Sequence, residues 1–463
     1  MRGANLVAGE WREAGEGSID VRDTFSQRSV YRQHVASAGD VADALTAAAD
    51  YAAAPIGPRD RAKALMRTRD ALDGRREDML AALVTEAGFP IRDAAGEVDR
   101  ALTTLTLCAE EATRLTGAMV PTEVAQPGRL GFTLRVPVGI VVAITPFNAP
   151  LNTVCHKVGP ALAAGNALLL KPSERTPGPA AILMECLLSA GWPAGAAQML
   201  NGGPELVQTL LADARPAFYA FTGSTAAGAA IHRAAGLRRT QMELGSIAST
   251  IVLDDAALDR AVAKCTAAAF RKAGQVCTSI QTLYVQRGVH ADFRDRFVEC
   301  ARRLVTGDPS DPETDIGPMI SAEAAARAVD LVAGARVLLG GTADGALMPP
   351  TVIETPAEPF LTQEAFGPVC AILPVDGLAE AIAHVNATPY SLATGVFTRD
   401  IDAALTAARG LHVGGVHINE ASSSRLDLMP YGGVKASGFG QEGPAYAIRE
   451  MSEIRLVTIA GPA

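Results

Sequence analysis

Between residues 40 and 115 apolar positions recur at three- and four-residue intervals. The spacing predicts helices over 41–54, 58–83 and 91–115, with Asp40 as the N-cap of the first. Their alanine-rich faces suit close packing against a sheet. Residues 129–136 alternate apolar and polar behind a turn-rich stretch at 121–127, which predicts a strand. From Gly139 the pattern changes to uninterrupted apolar runs separated by helical stretches: strands over 140–144, 167–171, 197–200 and 218–221, and helices over 151–163, 178–190, 204–212 and 225–235. Apolar runs of this length belong to parallel strands covered on both faces. Beyond Glu243 the alternation begins again, with strands over 250–253, 283–285, 395–397 and 415–418 and helices over 259–270 and 291–305. An α/β protein of two doubly wound units is therefore predicted. The last apolar run, 454–459, reads as a strand with no partner nearby in sequence, so it needs a sheet edge to join.

Composition narrows the class. A chain of 463 residues is too long for one core, and 48% hydrophobic with 20% charged residues excludes disorder. The net charge of −9 comes with no clustered cationic face, which argues against nucleic acid as a partner. No apolar run reaches the roughly 18 residues a membrane span needs, and residues 1–7 hold no leader-like apolar core. A cytoplasmic location without membrane contact is predicted. The seven cysteines are scattered, with no paired spacing, and predict reduced thiols; the seven histidines are dispersed and predict no metal site.

Cys277 lies in Phe270-Arg271-Lys272-Ala273-Gly274-Gln275-Val276-Cys277-Thr278-Ser279, on a loop between a predicted helix and a predicted strand, where chemistry is commonly placed on a rigid scaffold. A lone cysteine is more often a small buried hydrophobe, so its surroundings decide. Glu243 lies 34 residues upstream, in Met242-Glu243-Leu244-Gly245. Ahead of these come Thr145-Pro146-Phe147-Asn148, Lys171-Pro172-Ser173-Glu174 and Phe221-Thr222-Gly223-Ser224. Behind come Glu364-Ala365-Phe366-Gly367-Pro368 and Pro430-Tyr431-Gly432-Gly433-Val434-Lys435. In this order and spacing, over nearly the whole chain, the motifs resemble those of the aldehyde dehydrogenase superfamily.

The resemblance implies a Rossmann-like NAD-binding domain over 1–115 and 138–244, a catalytic domain over 245–435, and a β oligomerisation arm over 116–137 and 452–463 that makes a homodimer or homotetramer. It implies oxidation of an aldehyde through a thiohemiacetal and thioester on Cys277. Glu243 is then the base that activates water, and Asn148 with the Cys277 amide forms the oxyanion hole. A base of this kind needs a carboxyl raised by burial, and the apolar neighbours Met242 and Leu244 are compatible with that. Asn148 follows a buried strand at the carboxyl end, where α/β sheets place ligands; shaping the Pro146–Pro150 turn is its structural alternative.

No G-x-G-x-x-G stands at the cofactor site implied by the resemblance. The strand-to-helix junction at Gly223 and Ser224 instead offers backbone N–H groups to a pyrophosphate. The resemblance adds Lys171, Ser173 and Glu174 at the adenosine ribose and Glu364 and Phe366 at the nicotinamide end. A carboxylate at Glu174 would repel a 2′-phosphate, so NAD is expected over NADP. Two departures stand out: Ser246 and Ser249 in the turn after Glu243, and Thr282 where many relatives carry Arg.

The segment 419–431 is similar to the subgroup handling lactaldehyde, succinate semialdehyde and phosphono- or sulfo-substituted aldehydes. This implies a small polar or anionic aliphatic substrate, with Arg425 and Arg100 as candidate anion partners or, alternatively, structural arginines. His156 reads as a structural histidine. Two other readings stay open: a CoA-acylating semialdehyde dehydrogenase, which the presence of Glu243 disfavours, and a catalytically silent NAD-binding scaffold.

Overall fold

Uninterrupted apolar segments form the parallel centre of an eight-stranded sheet in the computed structural model, which describes residues 3–13 and 15–460. The order is Glu10–Arg12, Asn5–Val7, Ala197–Met199, Ala167–Lys171, Ile140–Ile144, Pro216–Thr222, Arg239–Glu243 and Gly438–Phe439. From Ile140–Ile144 the chain moves outward through Ala167–Lys171 to Ala197–Met199, then returns to lay Pro216–Thr222 on the opposite side. The carboxyl ends of strands that flank such a reversal diverge and leave a crevice. Helix Asn152–Ala164 packs beneath this crevice and is buried along its whole length. Gly159 makes its contact with helix Ile91–Glu111 possible, since a Cβ there would lie 2.6 Å from the Cys108 sulfur.

A seven-stranded sheet carries the second core, in the order Arg336–Leu339, Thr351–Glu354, Val369–Val375, Ile280–Gln286, Ala248–Val252, Ala393–Phe397 and Gly415–Ile418. All its pairings are parallel except that of the first strand. The mixed α/β class expected from the apolar pattern is the one observed.

The tail strand, Ser452–Ile459, pairs antiparallel with Leu130–Pro137 over eight residues, and Met119–Val120 adds a third strand. Register puts Leu130, Leu134 and Ile459 on one face and Ile454 and Leu456 on the other, all exposed. The end of the arm expected over 452–463 lies outside the described residues at 461–463.

Several boundaries differ from expectation, each for a local reason. The first helix begins at Ala38, not after Asp40. Ser37 is the N-cap, and Asp40 completes a capping box: Ser37 Oγ accepts from the Asp40 N–H at 3.1 Å and Asp40 Oδ2 from the Ser37 N–H at 2.9 Å. The helix predicted over 58–83 is two, Pro58–Asp73 and Arg76–Ala87, separated at Gly74. The apolar pattern assigns no strand to 369–375, which holds Pro374, yet Val369–Val375 is a strand inside the seven-stranded sheet.

Among the described residues no helix is long and apolar enough to cross a membrane. Glu86, fully buried at the end of helix Arg76–Ala87, accepts from the Tyr31 hydroxyl and the Gly178 N–H, both at 2.8 Å, and so ties the Ser18–His34 hairpin to helix Pro177–Ser189. Burial pushes its carboxyl up to about 7. Its proton is held more tightly folded than unfolded, so its contribution is fully present below about pH 4.5 and is lost as pH rises through about 7, by roughly 3 kcal/mol. Glu86→Gln removes the charge with nearly the same shape: its amide oxygen can accept from the Gly178 N–H while its amide N–H donates to the Tyr31 hydroxyl oxygen. Thermal melts at pH 6 and pH 8 should show the variant losing less stability than wild type across that interval; equal losses would refute this account of Glu86.

Candidate active site

The crevice continues into a cavity of about 410 Å³ walled by both large sheets, with Cys277, Glu243 and Asn148 all on its lining. Cys277 is reached through an unusual backbone. After helix Leu258–Phe270 the chain holds Lys272 (φ 53°), Ala273 (φ 52°) and Gly274 (φ 67°) successively in the left-handed region. Each of the first two costs on the order of 1–3 kcal/mol unless the surroundings hold it.

The surroundings do hold it. Buried Lys272 donates to Glu97 Oε2 at 2.7 Å, its backbone N–H donates to Asp93 Oδ2 at 3.2 Å, and its ammonium sits 4.0 Å from the Phe89 ring centroid. Glu97 also accepts the Asn152 N–H at 2.8 Å. One carboxylate therefore fixes the cysteine loop to two helices. The Lys272 ammonium beside it outweighs burial and keeps Glu97 below the usual carboxylate range. Gly274 is required by contact as well as by φ, since a Cβ would fall 2.0 Å from the Gly367 carbonyl oxygen.

Asn148 donates its side-chain amide to the Gln275 carbonyl at 2.9 Å, which bridges the two sheets directly behind Cys277. Glu243 ends strand Arg239–Glu243 and is 3% exposed, and neither of its carboxylate oxygens has a hydrogen-bond partner among the described residues. Burial, then the charge of Glu442, raises it well above the ordinary carboxylate value. Glu442 is its opposite: equally buried, it accepts from Lys157 at 3.1 Å and Arg425 at 2.8 Å, and these cations hold it down at about 2 despite burial. The Cys277 thiol is pushed up to about 11 by burial, against the pull of the Tyr431 hydroxyl.

The expected cofactor residues line the same cavity. Lys171 and Glu174 pair at 2.8 Å at the carboxyl end of strand Ala167–Lys171, with Ser173 between them. Ser224 caps helix Thr225–Ala235, and Gly223 gives its N–H to the Glu243 carbonyl. Only the first turn of the helix therefore has N–H groups left for an anion. Glu364 accepts the Ser246 N–H at 2.8 Å and is raised to about 7 by burial. Phe366, itself left-handed at φ 44°, meets Phe147 edge to face at 5.8 Å. The departures Ser246, Ser249 and Thr282 are buried, with hydroxyls lacking protein partners among the described residues.

Both candidate anion-binding arginines line the cavity, but each already has a carboxylate. Arg100 forks onto Asp427 at 2.7 and 3.2 Å, and Arg425 is tied to Glu442. Asp427 also accepts from Asn152 at 2.9 Å and lies 3.0 Å from His156 Nε2, which gives His156 a structural partner. The lining arginine that makes no hydrogen bond or ion pair among the described residues is Arg271, exposed and six residues before Cys277. Sequence reasoning passed over it inside the cysteine motif. It likewise missed Tyr431, whose hydroxyl lies 2.7 Å from the Cys277 sulfur. Pairing to a carboxylate distant in sequence decides which arginine is available, and no motif displays that.

Comparison with known proteins agrees with this geometry. Residues 11–457 match the aldehyde dehydrogenase family. The chain is 44% identical over 464 residues to 3-sulfolactaldehyde dehydrogenase of Priestia aryabhattai, covering 98% of this chain and 97% of that one. Aldehyde dehydrogenase 21 of Physcomitrella patens, solved with the reaction product succinate, superposes with a TM-score of 0.96 at 34% identity, over 99% and 98% of the two chains. Glyceraldehyde-3-phosphate dehydrogenase of Methanocaldococcus jannaschii, solved with NADP, superposes with a TM-score of 0.91 at 35% identity, over 96% and 99%.

The Lys272–Glu97 pair can be tested as a pair. Lys272→Met should cost about 3–5 kcal/mol in urea denaturation, because Glu97 is left charged and buried without its ammonium partner. Adding Glu97→Gln should recover much of that loss. Additive losses would show that the two side chains act independently.

Proposed function

The chain belongs to the aldehyde dehydrogenase family, and from that premise we propose that it oxidises a small anionic aliphatic aldehyde to the carboxylic acid with NAD as acceptor. The observation that carries the substrate class is the ion-pair census of the cavity. Arg271 stands at the lining with no hydrogen bond or ion pair to a carboxylate among the described residues, its charge reaching Asp93 only through space, on the same loop as Cys277. A guanidinium so placed suits a sulfonate or carboxylate at the far end of a short aldehyde. The similarity to a 3-sulfolactaldehyde dehydrogenase supports the same chemistry.

The residues fit a dinucleotide: the first-turn N–H groups of helix Thr225–Ala235 suit the pyrophosphate, Lys171, Ser173 and Glu174 the adenosine ribose, and Glu364 and Phe366 the nicotinamide end. Bound there, the dinucleotide supplies the hydride acceptor. In this reading Cys277 attacks the carbonyl carbon and retains the acyl group as a thioester. Asn148 and the Cys277 N–H stabilise the oxyanion. Glu243, whose oxygens no protein donor occupies, takes the proton of the attacking water. The apolar residues on both faces of the three-stranded sheet support a homo-oligomer that covers them.

Purified protein should form NADH with sulfolactaldehyde or succinate semialdehyde and much less with hexanal or benzaldehyde, and Cys277→Ala should abolish turnover. Arg271→Gln should lower kcat/KM about tenfold or more for an anionic aldehyde, while kcat/KM for uncharged lactaldehyde stays near wild type. Equal losses on both substrates would refute Arg271 as the anion partner.

For the cofactor, wild type should prefer NAD over NADP in kcat/KM, and Glu174→Ser should narrow that ratio by removing the charge facing a 2′-phosphate. A wild type that uses both equally, or a variant with an unchanged ratio, would refute the role given to Glu174.

A further inference from the structure

Among the described residues the Cys277 sulfur has one hydrogen-bond partner, the Tyr431 hydroxyl at 2.7 Å. In the resting thiol either atom can donate. Once the S–H proton has left, sulfur only accepts, and the phenol is the donor. We propose that Tyr431 is a further catalytic residue, whose hydroxyl donates a hydrogen bond to the Cys277 thiolate and stabilises it for attack. The phenol makes and breaks no covalent bond and keeps its own proton throughout.

The surroundings of Tyr431 hold it in this role from two sides. Its backbone exchanges two hydrogen bonds with Glu442, Tyr431 N–H to Glu442 O at 3.1 Å and Glu442 N–H to Tyr431 O at 2.7 Å. The Arg425 guanidinium carbon lies 3.8 Å from the ring centroid, and Glu442 Oε2 accepts from Arg425 at 2.8 Å. Glu442 is itself anchored through Oε1 by Lys157 of the buried helix Asn152–Ala164. A cation over the face of a phenol withdraws electron density from the ring and strengthens the O–H as a donor.

Burial drives the phenol's own ionisation well above its usual range, so it remains a donor through neutral pH. The same burial disfavours a bare thiolate, which makes a dedicated donor consequential. Arg425 thereby becomes a positioning residue for Tyr431.

This inference rests on Cys277 being the nucleophile, so its test reads the thiolate directly, without any aldehyde. The rate of Cys277 alkylation by iodoacetamide is followed against pH by peptide mapping, which separates Cys277 from the half-exposed Cys300. In Tyr431→Phe, which keeps the ring beneath Arg425, the rate at pH 8 should fall about tenfold or more and the midpoint should move up by about one pH unit or more.

Fluorotyrosine placed only at position 431 acidifies the phenol with little change in packing, and should raise the rate and move the midpoint down. It carries the test alone should Tyr431→Phe misfold. Profiles that coincide with wild type would overturn the role of Tyr431 even if aldehyde turnover confirms Cys277. Opposite shifts in the two variants would support it even if every tested aldehyde fails.

Discussion

A lysine and an alanine in left-handed backbone, five and four residues before Cys277, set the position of the groups that meet at its sulfur. Nothing local favours that turn. It persists because Glu97 and Asp93, from a helix about 180 residues earlier in the chain, take the Lys272 ammonium and N–H, and because Gly274 lets the backbone pass against Gly367. Through its second bond, to the Asn152 N–H, Glu97 couples the start of helix Asn152–Ala164 to the same loop. Asn148, four residues ahead of that helix, bonds to Gln275 two residues before the cysteine. Asn148 and Cys277, the candidates for oxyanion hole and nucleophile, are thus held by one network, and a site divided between two sheets is built as a single object.

Two buried carboxylates beside that object have opposite environments. Glu442 is surrounded by cations and stays ionised, so it serves as the anchor for Arg425 and Lys157. Glu243 has no protein donor among the described residues, and its proton affinity, raised by burial, is raised further by the charge of Glu442. Carboxyls pushed apart in this way take different roles, one structural and one able to exchange a proton with water. Gly432 leaves room beside the second of them: a Cβ there would stand 3.2 Å from Glu243 Oε1 and 2.1 Å from the Gly440 carbonyl oxygen. The charge network is therefore more than a support for the fold, because its asymmetry tunes the acid that faces the cavity.

Much of the scaffold was legible along the chain. Ile140–Ile144, Ala167–Lys171, Pro204–Ala212 and Thr225–Ala235 stand where the apolar pattern predicted, because buried parallel strands and the helices covering them must be apolar wherever they occur. Asn5–Val7 and Glu10–Arg12 were not legible, being three-residue strands at one end of the sheet, whose only signal is the sheet they join. Val369–Val375 hid behind Pro374, and Asp40 looked like a cap because the role of Ser37 depends on an exchange of hydrogen bonds.

The sequence by itself determined the fold class, the family, and Cys277, Glu243 and Asn148 as candidates, since residue type and spacing carry those directly. Tertiary structure decided which charges remain available. Arg100 and Arg425 looked as suitable for an anion as any arginine until Asp427 and Glu442, 327 and 17 residues away, were found holding them. Arg271 and the Tyr431 hydroxyl stood inside quoted motifs without distinction. An arginine is defined by its chemistry, but whether it binds substrate depends on which carboxylate the fold brings within about 3 Å, and that distance exists only in three dimensions.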